Sequence, residues 1–403
     1  MTSRLDLAGQ RRLDRYFDRI GAVLARKGRR ESFALYALGL FSDAARKSVE
    51  PIAAMACGDP ALCRAHHDQL LHFVGVSNWS DRDVRRCAAD FALEALSERE
   101  AIEDWIVDDT GFPKQGDKSP GVQRQYSGTL GKIGNCQLAV SVTVATRSAH
   151  LALDMDLYLP TSWTDDPRRC KAAHIPKDIG YRPKWQIALD LIRRNVEAGV
   201  PIGLMLADSG YGDVAAFREG VRAMGFDYAL DVKQHTRVVI VCEDGTETDP
   251  LSVETVAEII GERSYRKVTW REGTKQALSA RVATLRVCPI TGDGVRGEEQ
   301  WLVIDKDKRG GPVEHYVLST LPKTMSRKQL VRRIKQRWRT ERVYEDLKGE
   351  LGLDHFEGRT YPGWQHHVSC VLACNAFLVA ERARAFPPAA RRARGGDEIE
   401  RAA

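Results

Sequence analysis

Three acidic residues stand where their surroundings would let them do chemistry. Asp108 follows the apolar run Trp105-Ile106-Val107, and Asp208 follows the run from Ile202 to Ala207. Glu341 lies in a helix-like stretch among Arg327, Lys328, Arg332, Arg333, Lys335, Arg337, Arg339 and Arg342. Carboxylates brought together raise one another's pKa, so a cluster of three is unfavourable unless cations enter it. Hard oxygen ligands with open positions suit Mg2+, with Mn2+ as a substitute. Two such ions can activate a water or a 3′-hydroxyl and steady the leaving oxygen in attack on a phosphodiester. The crowd of cations around Glu341 points the same way, toward phosphate contact. An acid after an apolar run is common in a chain with 55 of them, so the elements that would bring these three together must be read as well.

Residues 1 to about 100 have helical spacing, as in Tyr16-Phe17-Ile20-Val23-Leu24 and Phe33-Leu35-Leu38-Phe41, punctuated by arginines. From residue 104 the texture becomes that of strands. Trp105 to Val107 reads as a short buried strand ending at Asp108, and Gln137–Val144 and His150–Leu159 as two more. A helix over Trp185–Glu197, a strand ending at Asp208, a helix over Val214–Met224 and a strand over Phe226–Val232 follow. Residues 235 to 320 are rich in strand-like segments. One long helix is expected from Ser326, a suitable N-cap, to about Glu350, and another from Trp364 to Arg384. Along that long helix Arg337, Glu341 and Lys348 are spaced by 4 and 7, which puts them within about 40° of one another on one face. This order of elements is that of an α/β protein with an RNase H-like core, interrupted by a β-rich insertion and preceded by an all-helical domain. In that fold the strands carrying Asp108 and Asp208 are central neighbours, and the last helix packs beside their ends. The expected divisions are residues 1–100, a helical DNA-binding domain; 101–234, the first part of the core; 235–322, the insertion; 323–385, the C-terminal helices of the core; and 386–403, a disordered tail.

Several segments in the same order make the chain similar to a known family. Arg337-Trp338-Arg339-Thr340-Glu341 followed by Lys348 resembles the Tyr-x2-Arg-x3-Glu-x6-Lys signature of DDE insertion-sequence transposases related to the insertion-sequence 4 group. The segments from Trp105 to Lys114 and from Leu206 to Gly212 look like those carrying that family's two aspartates. Gln125-Tyr126-Ser127-Gly128 through Gln137, and Leu351 through His355, are similar to the insertion-sequence 701 type. The resemblance spans about residues 15 to 380. It implies a catalytic, metal-binding triad of Asp108, Asp208 and Glu341, with DNA contacts from Arg337 and Lys348; Arg333, Lys114 and Lys132 are further candidates for DNA contact. It also implies strand cleavage and strand transfer at the terminal inverted repeats of a mobile element, cut-and-paste insertion into target DNA, and a dimer in the synaptic complex. The signature tyrosine falls at Ile334, with Tyr344 as a nearby substitute. Asp109 and Glu345 are neighbours to which either acidic assignment could slip. Two other readings stay open: a domesticated descendant that binds DNA without cutting it, and an RNase H-like nuclease unconnected with transposition.

Composition narrows the field further. The net charge of +6 leans mildly toward polyanionic partners. No apolar run approaches the roughly 20 residues a bilayer requires, and Met1–Gln10 has no export signal, so a cytoplasmic, nucleoid-associated prokaryotic protein is expected. Nine scattered cysteines read as free thiols, and the Cys57, Cys63, His66, His67 cluster fits no zinc spacing. The Gly128–Lys132 segment fails the phosphate-loop pattern because Ile133 stands where Ser or Thr is needed. His366-His367 near Cys370 and Cys374 reads as helix packing, as do Trp270 and Trp301 as core.

Overall fold

The computed structural model describes residues 6–57, 60–242, 245–272, 277–307 and 309–385. The tail expected to be disordered, residues 386–403, lies outside the described residues. Among the described residues five helices come first: Leu7–Leu24, Lys27–Phe41, Val49–Met55, Pro60–Gly75 and Asp81–Ser97. Two of them start on side-chain caps, Asp6 accepting from the Gly9 amide and Ser80 from the Asp83 amide. Twelve strands follow: β1 (Asp104–Pro113), β2 (Gln123–Ser127), β3 (Lys132–Ala145), β4 (His150–Tyr158), β5 (Leu204–Ala207), β6 (Asp227–Val232), β7 (Arg237–Ile240), β8 (Leu251–Ser252), β9 (Arg266–Glu272), β10 (Ala277–Ile290), β11 (Gln300–Asp307) and β12 (Val313–Ser319).

All twelve belong to one mixed sheet in the order β2-β3-β1-β5-β6-β12-β11-β10-β7-β8, with β4 on β3 and β9 on β10. β1 runs antiparallel to β3 and parallel to β5, and β5 runs parallel to β6. The β-rich segment therefore does not stand apart as its own sheet. Its last strand, β12, pairs antiparallel with β6 and continues the central sheet outward. It also carries a helix, Val253–Ile259, that the strand-like texture concealed.

The final helix, Tyr361–Ala385, explains its unbroken apolar character by its position. Buried on nearly all sides, it packs against the helix Asp81–Ser97 and against β4. Tyr16 donates to the Ala373 carbonyl at 2.7 Å, and Arg12 pairs with Glu381. One hydrophobic cluster consequently runs from Leu13 in the first helix to Ala383 in the last, through the sheet. The histidine pair of this helix does pack as expected. His366 stacks on Trp79 with ring centroids 3.9 Å apart, and His367 meets the Tyr36 hydroxyl at 2.9 Å. Trp270 and Trp301 are half-buried against a second, smaller cluster beneath β10–β12. No helix among the described residues is long and apolar enough to cross a membrane.

Two expectations need correcting. The strand bearing Asp108 does not end there: β1 continues to Pro113 because β3 stays beside it along its whole length. What ends at Val107 is the ladder with β5. The long helix from Ser326 to Glu350 is likewise three pieces. Ser326 caps Arg327–Ile334 through a capping box with Gln329, a turn over 335–337 intervenes, Trp338–Glu345 resumes, and a π-helical turn occupies Asp346–Glu350. Within the break the backbone bonds shift to i→i−3, from Arg339 to Gln336 and from Thr340 to Arg337. The two helices answer to different supports. Lys335 is drawn to Asp305 on β11, while Arg339 is buried against the carbonyls of Thr146, Arg147 and Ala149 in the β3–β4 turn.

Candidate active site

Asp108 and Asp208 meet through strand register. β1 and β5 pair from Asp104↔Leu204 to Val107↔Ala207, so Asp108 and Asp208 occupy what would be the next rung. Neighbouring strands lie about 4.8 Å apart, which brings the two carboxylates side by side. The ladder stops there because Asp208 turns the chain into the short helix Ser209–Gly212, accepting from the Gly210 amide at 2.9 Å. Gly212 lets that turn sit against β6: a Cβ there would stand 2.1 Å from the Asp231 carbonyl oxygen.

Burial pushes the Asp108 carboxyl up to about 7, helped by Asp208 and opposed by Arg337. Asp208 is raised as well, by burial first and then by Asp109, with Arg337 and Lys184 working against the shift. Arg337 has a nitrogen 3.8 Å from Asp108 and another 4.0 Å from Asp231. Burial disfavours its charge, but Asp231, Asp108, Asp208 and Glu341 together hold its pKa above the ordinary value. Arg337 is thus the cation these acids share. A cleft of about 160 Å³ opens beside it, lined by Asp231, Asp305, His315, Arg337, Trp338 and Glu341 over an apolar floor that includes Ile334.

Glu341 is exposed in the first turn of its helix and lines this cleft with Arg337. As a chemical set the Asp108–Asp208 pair fits a hard divalent cation: oxygen donors only, half-buried and mutually repelling. Among the described residues, however, no three His, Cys, Asp or Glu side chains stand close enough to hold a metal ion. The acidic neighbours of the two assignments are committed elsewhere. Asp109 pairs with Lys184, and Glu345 pairs with Arg342 on the surface.

The cations expected to meet DNA separate into groups. Arg337 stands in the cleft. Lys348 donates to the Gly111 carbonyl at 2.9 Å and lies near Thr129 Oγ1, and burial lowers its pKa. Lys114 is half-buried on the Phe356 carbonyl, while Lys132 is exposed on the β2–β3 hairpin. Arg333 lies elsewhere, with its guanidinium taken up by Glu103 and Asp104 at the start of β1. Ile334, at the signature tyrosine position, is buried under the cleft. The Tyr344 hydroxyl reaches Ser141 Oγ at 2.6 Å, and Ser141 is the cross-strand partner of Asp108.

Sequence reasoning missed Asp231 and His315, which pair at 3.3 Å on adjacent strands, and His315 is raised by that bond. Neither has a local signal; only the β6–β12 pairing brings them together. The Cys57 thiol contacts His66 Nδ1 at 3.4 Å, and that cluster forms no three-ligand group among the described residues.

The chain is 26% identical over 359 residues, 88% of its length and 84% of the relative's, to a protein described as a probable transposase for insertion sequence element IS701 from Microchaete diplosiphon. A family model described as DDE superfamily endonuclease matches residues 19–277. That match covers more than half of the chain, which therefore belongs to the DDE superfamily of endonucleases.

Proposed function

We propose that this protein is a transposase that cuts DNA strands at the ends of an insertion sequence and joins them to target DNA. The observation that carries the reading is the Asp108–Asp208 pair: two half-buried carboxylates on adjacent central strands with Arg337 as their shared cation. The order β4-β3-β1-β5-β6, antiparallel then parallel, supports an RNase H-like core beneath them. Asp108 and Asp208 would hold Mg2+ or Mn2+, with Glu341 as the third acid on the far side of Arg337. Bound there, the metal supplies an activated water or 3′-hydroxyl and stabilises the leaving oxygen. Arg337 holds a phosphate at the carboxylates, and Lys348 steadies the strand that carries Gly111. The engagement of Asp109 by Lys184 and of Glu345 by Arg342 favours Asp108 and Glu341 for these roles. Two element ends must be handled together, so the working form is a dimer on the terminal inverted repeats, in the prokaryotic cytoplasm.

The test is cleavage of a plasmid carrying the element's own ends, with Mg2+ or Mn2+, by the wild type and by Asp208→Asn. Metal-dependent cuts at those ends, lost in the variant, are the expected result. Binding to the ends without cutting would instead identify a DNA-binding descendant, and cutting that ignores the ends would identify a general nuclease.

A further inference from the structure

The β2–β3 hairpin is among the segments that resemble known relatives, yet the chemistry above gives its tip no task. Tyr126 and Ile133 face each other across the two strands and are 64% and 59% exposed. Large apolar side chains paired in solvent mark an interaction surface more often than chance. Arg124 and Lys132 flank them, both exposed and both without a hydrogen-bond or ion-pair partner among the described residues. No acidic residue occurs between Asp117 and Asp154, although the chain has 55. The surface is therefore apolar at its point and cationic around it, a match for a polyanion that hides an apolar interior.

Its direction follows from strand parity. Ile133 and Ser141 are eight residues apart on β3, an even spacing, so their side chains leave the same face of the sheet. Ser141 is the register partner of Asp108. The Arg124–Tyr126–Ile133 face is thus the face of the catalytic carboxylates. The hairpin is also rigidly rooted. Thr129 Oγ1 accepts from the Gly111 amide at 3.1 Å and lies 3.3 Å from Lys348 Nζ. Ser127 fills the space where a Gly111 Cβ would lie, only 2.0 Å from its Oγ.

We propose that Tyr126 and Ile133 form an apolar tooth that presses into the base stack of duplex DNA held on this face, while Arg124, on the same face, grips a flanking phosphate. Eight strand residues span about 26 Å, so the tooth meets the DNA about seven or eight base pairs from the phosphate at the carboxylates. Apolar wedges partly unstack a base step, and aromatic contacts to bases tolerate any sequence. This inference rests on the transposase reading and assigns it a contact remote from the chemistry.

The experiment uses the full chain and duplexes of the element's end in which 2-aminopurine is moved through the positions five to ten base pairs either side of the cut. Wild type should brighten the probe at one position near seven or eight base pairs. Tyr126→Ala should abolish that signal and weaken binding about tenfold, while Tyr126→Trp keeps it. Arg124→Ala should flatten the salt dependence of binding by about one unit of slope. An equal signal from Tyr126→Ala overturns the proposal. So does a Tyr126→Ala protein whose only change in sedimentation is from dimer to monomer, since the pair would then be covered by a second copy. A wild type that binds the duplex and cuts it but brightens no position overturns the tooth alone. One that neither binds nor cuts overturns the transposase reading, and the tooth falls with it.

Discussion

The sheet carries two sets of aspartates, one buried and one half-buried, and treats them in opposite ways. On β4, Asp154 is surrounded by Arg194, Arg85 and Asn195, and Asp156 by Arg182, Gln365 and Tyr361. Burial would push Asp154 up, but Arg194 and Arg85 more than offset it and its pKa is lowered. At the end of the β1–β5 ladder, Asp108 and Asp208 are half-buried with one shared arginine, and both are raised. The protein has arginines enough to neutralise a buried acid and uses them on β4, where the charges hold the helix Asp81–Ser97 and the helix Lys184–Glu197 against the sheet. At Asp108 and Asp208 it leaves negative charge less fully compensated, which stability alone would not favour. The difference sets the paired acids of β4, which tie helices to the sheet, apart from the raised pair at Asp108 and Asp208.

The strongest way to break this comparison is to neutralise one member of each set. Asp108→Asn or Asp208→Asn should reduce strand cleavage by at least about a hundredfold, since metal-assisted stabilisation is worth several kcal/mol. In EDTA at pH 8 the same substitution should raise the melting temperature by a few degrees, because it relieves repulsion. A fall in melting temperature would remove the distinction. Asp154→Ala should do the reverse, destabilising the fold by about 3–5 kcal/mol in urea titrations because Arg85 and Arg194 lose their partner in the interior. A loss under about 1 kcal/mol would mean that the β4 charges hold nothing together.

A pH titration sharpens the point. An Asp108 carboxyl at about 7 keeps its proton in the folded, metal-free protein where the unfolded chain, at 3.8, has released it. Folded stability attributable to Asp108 therefore declines as pH rises from about 4 to about 7 and is level above that. His150 and His367, both lowered to about 4 by burial, act oppositely, since between 4 and 6.5 the folded state binds fewer protons than the unfolded. Subtracting the stability profile of Asp108→Asn from that of the wild type cancels the histidines and should leave the declining curve. A flat difference would show that the carboxylate is not raised. The smallest effect belongs to Glu341→Gln. Glu341 is exposed, so metal-free stability should change by no more than about 0.5 kcal/mol, while cleavage is lost if it completes the triad.

Much of this was legible from residue order. The runs ending at Val107 and Ala207 were visible as buried strands because apolar side chains without alternation have few other places to go. The Ser326 cap was visible because a hydroxyl followed by Gln329 satisfies the first amides locally. The turn over 335–337 was not, since no proline or glycine marks it and the side chains on either side of it have separate partners, Lys335 on β11 and Arg339 in the β3–β4 turn. The crowd of cations around Glu341 misled in part. Arg333, Lys335, Arg339 and Arg342 are each spent on protein partners, several of them far away in sequence.

What the sequence by itself determined is the kind of each element and the acids that punctuate them, because strand alternation, helix spacing and caps are decided by neighbours in the chain. Only the tertiary structure decided that Asp108 and Asp208 stand side by side just past the last β1–β5 rung, that Arg337 stands among four acids, and that a single sheet runs from β2 through β12 to β8. Those outcomes depend on strand register and on competition for partners across the whole fold. The burial that makes a carboxylate reactive is set by everything packed around it, which no local window contains.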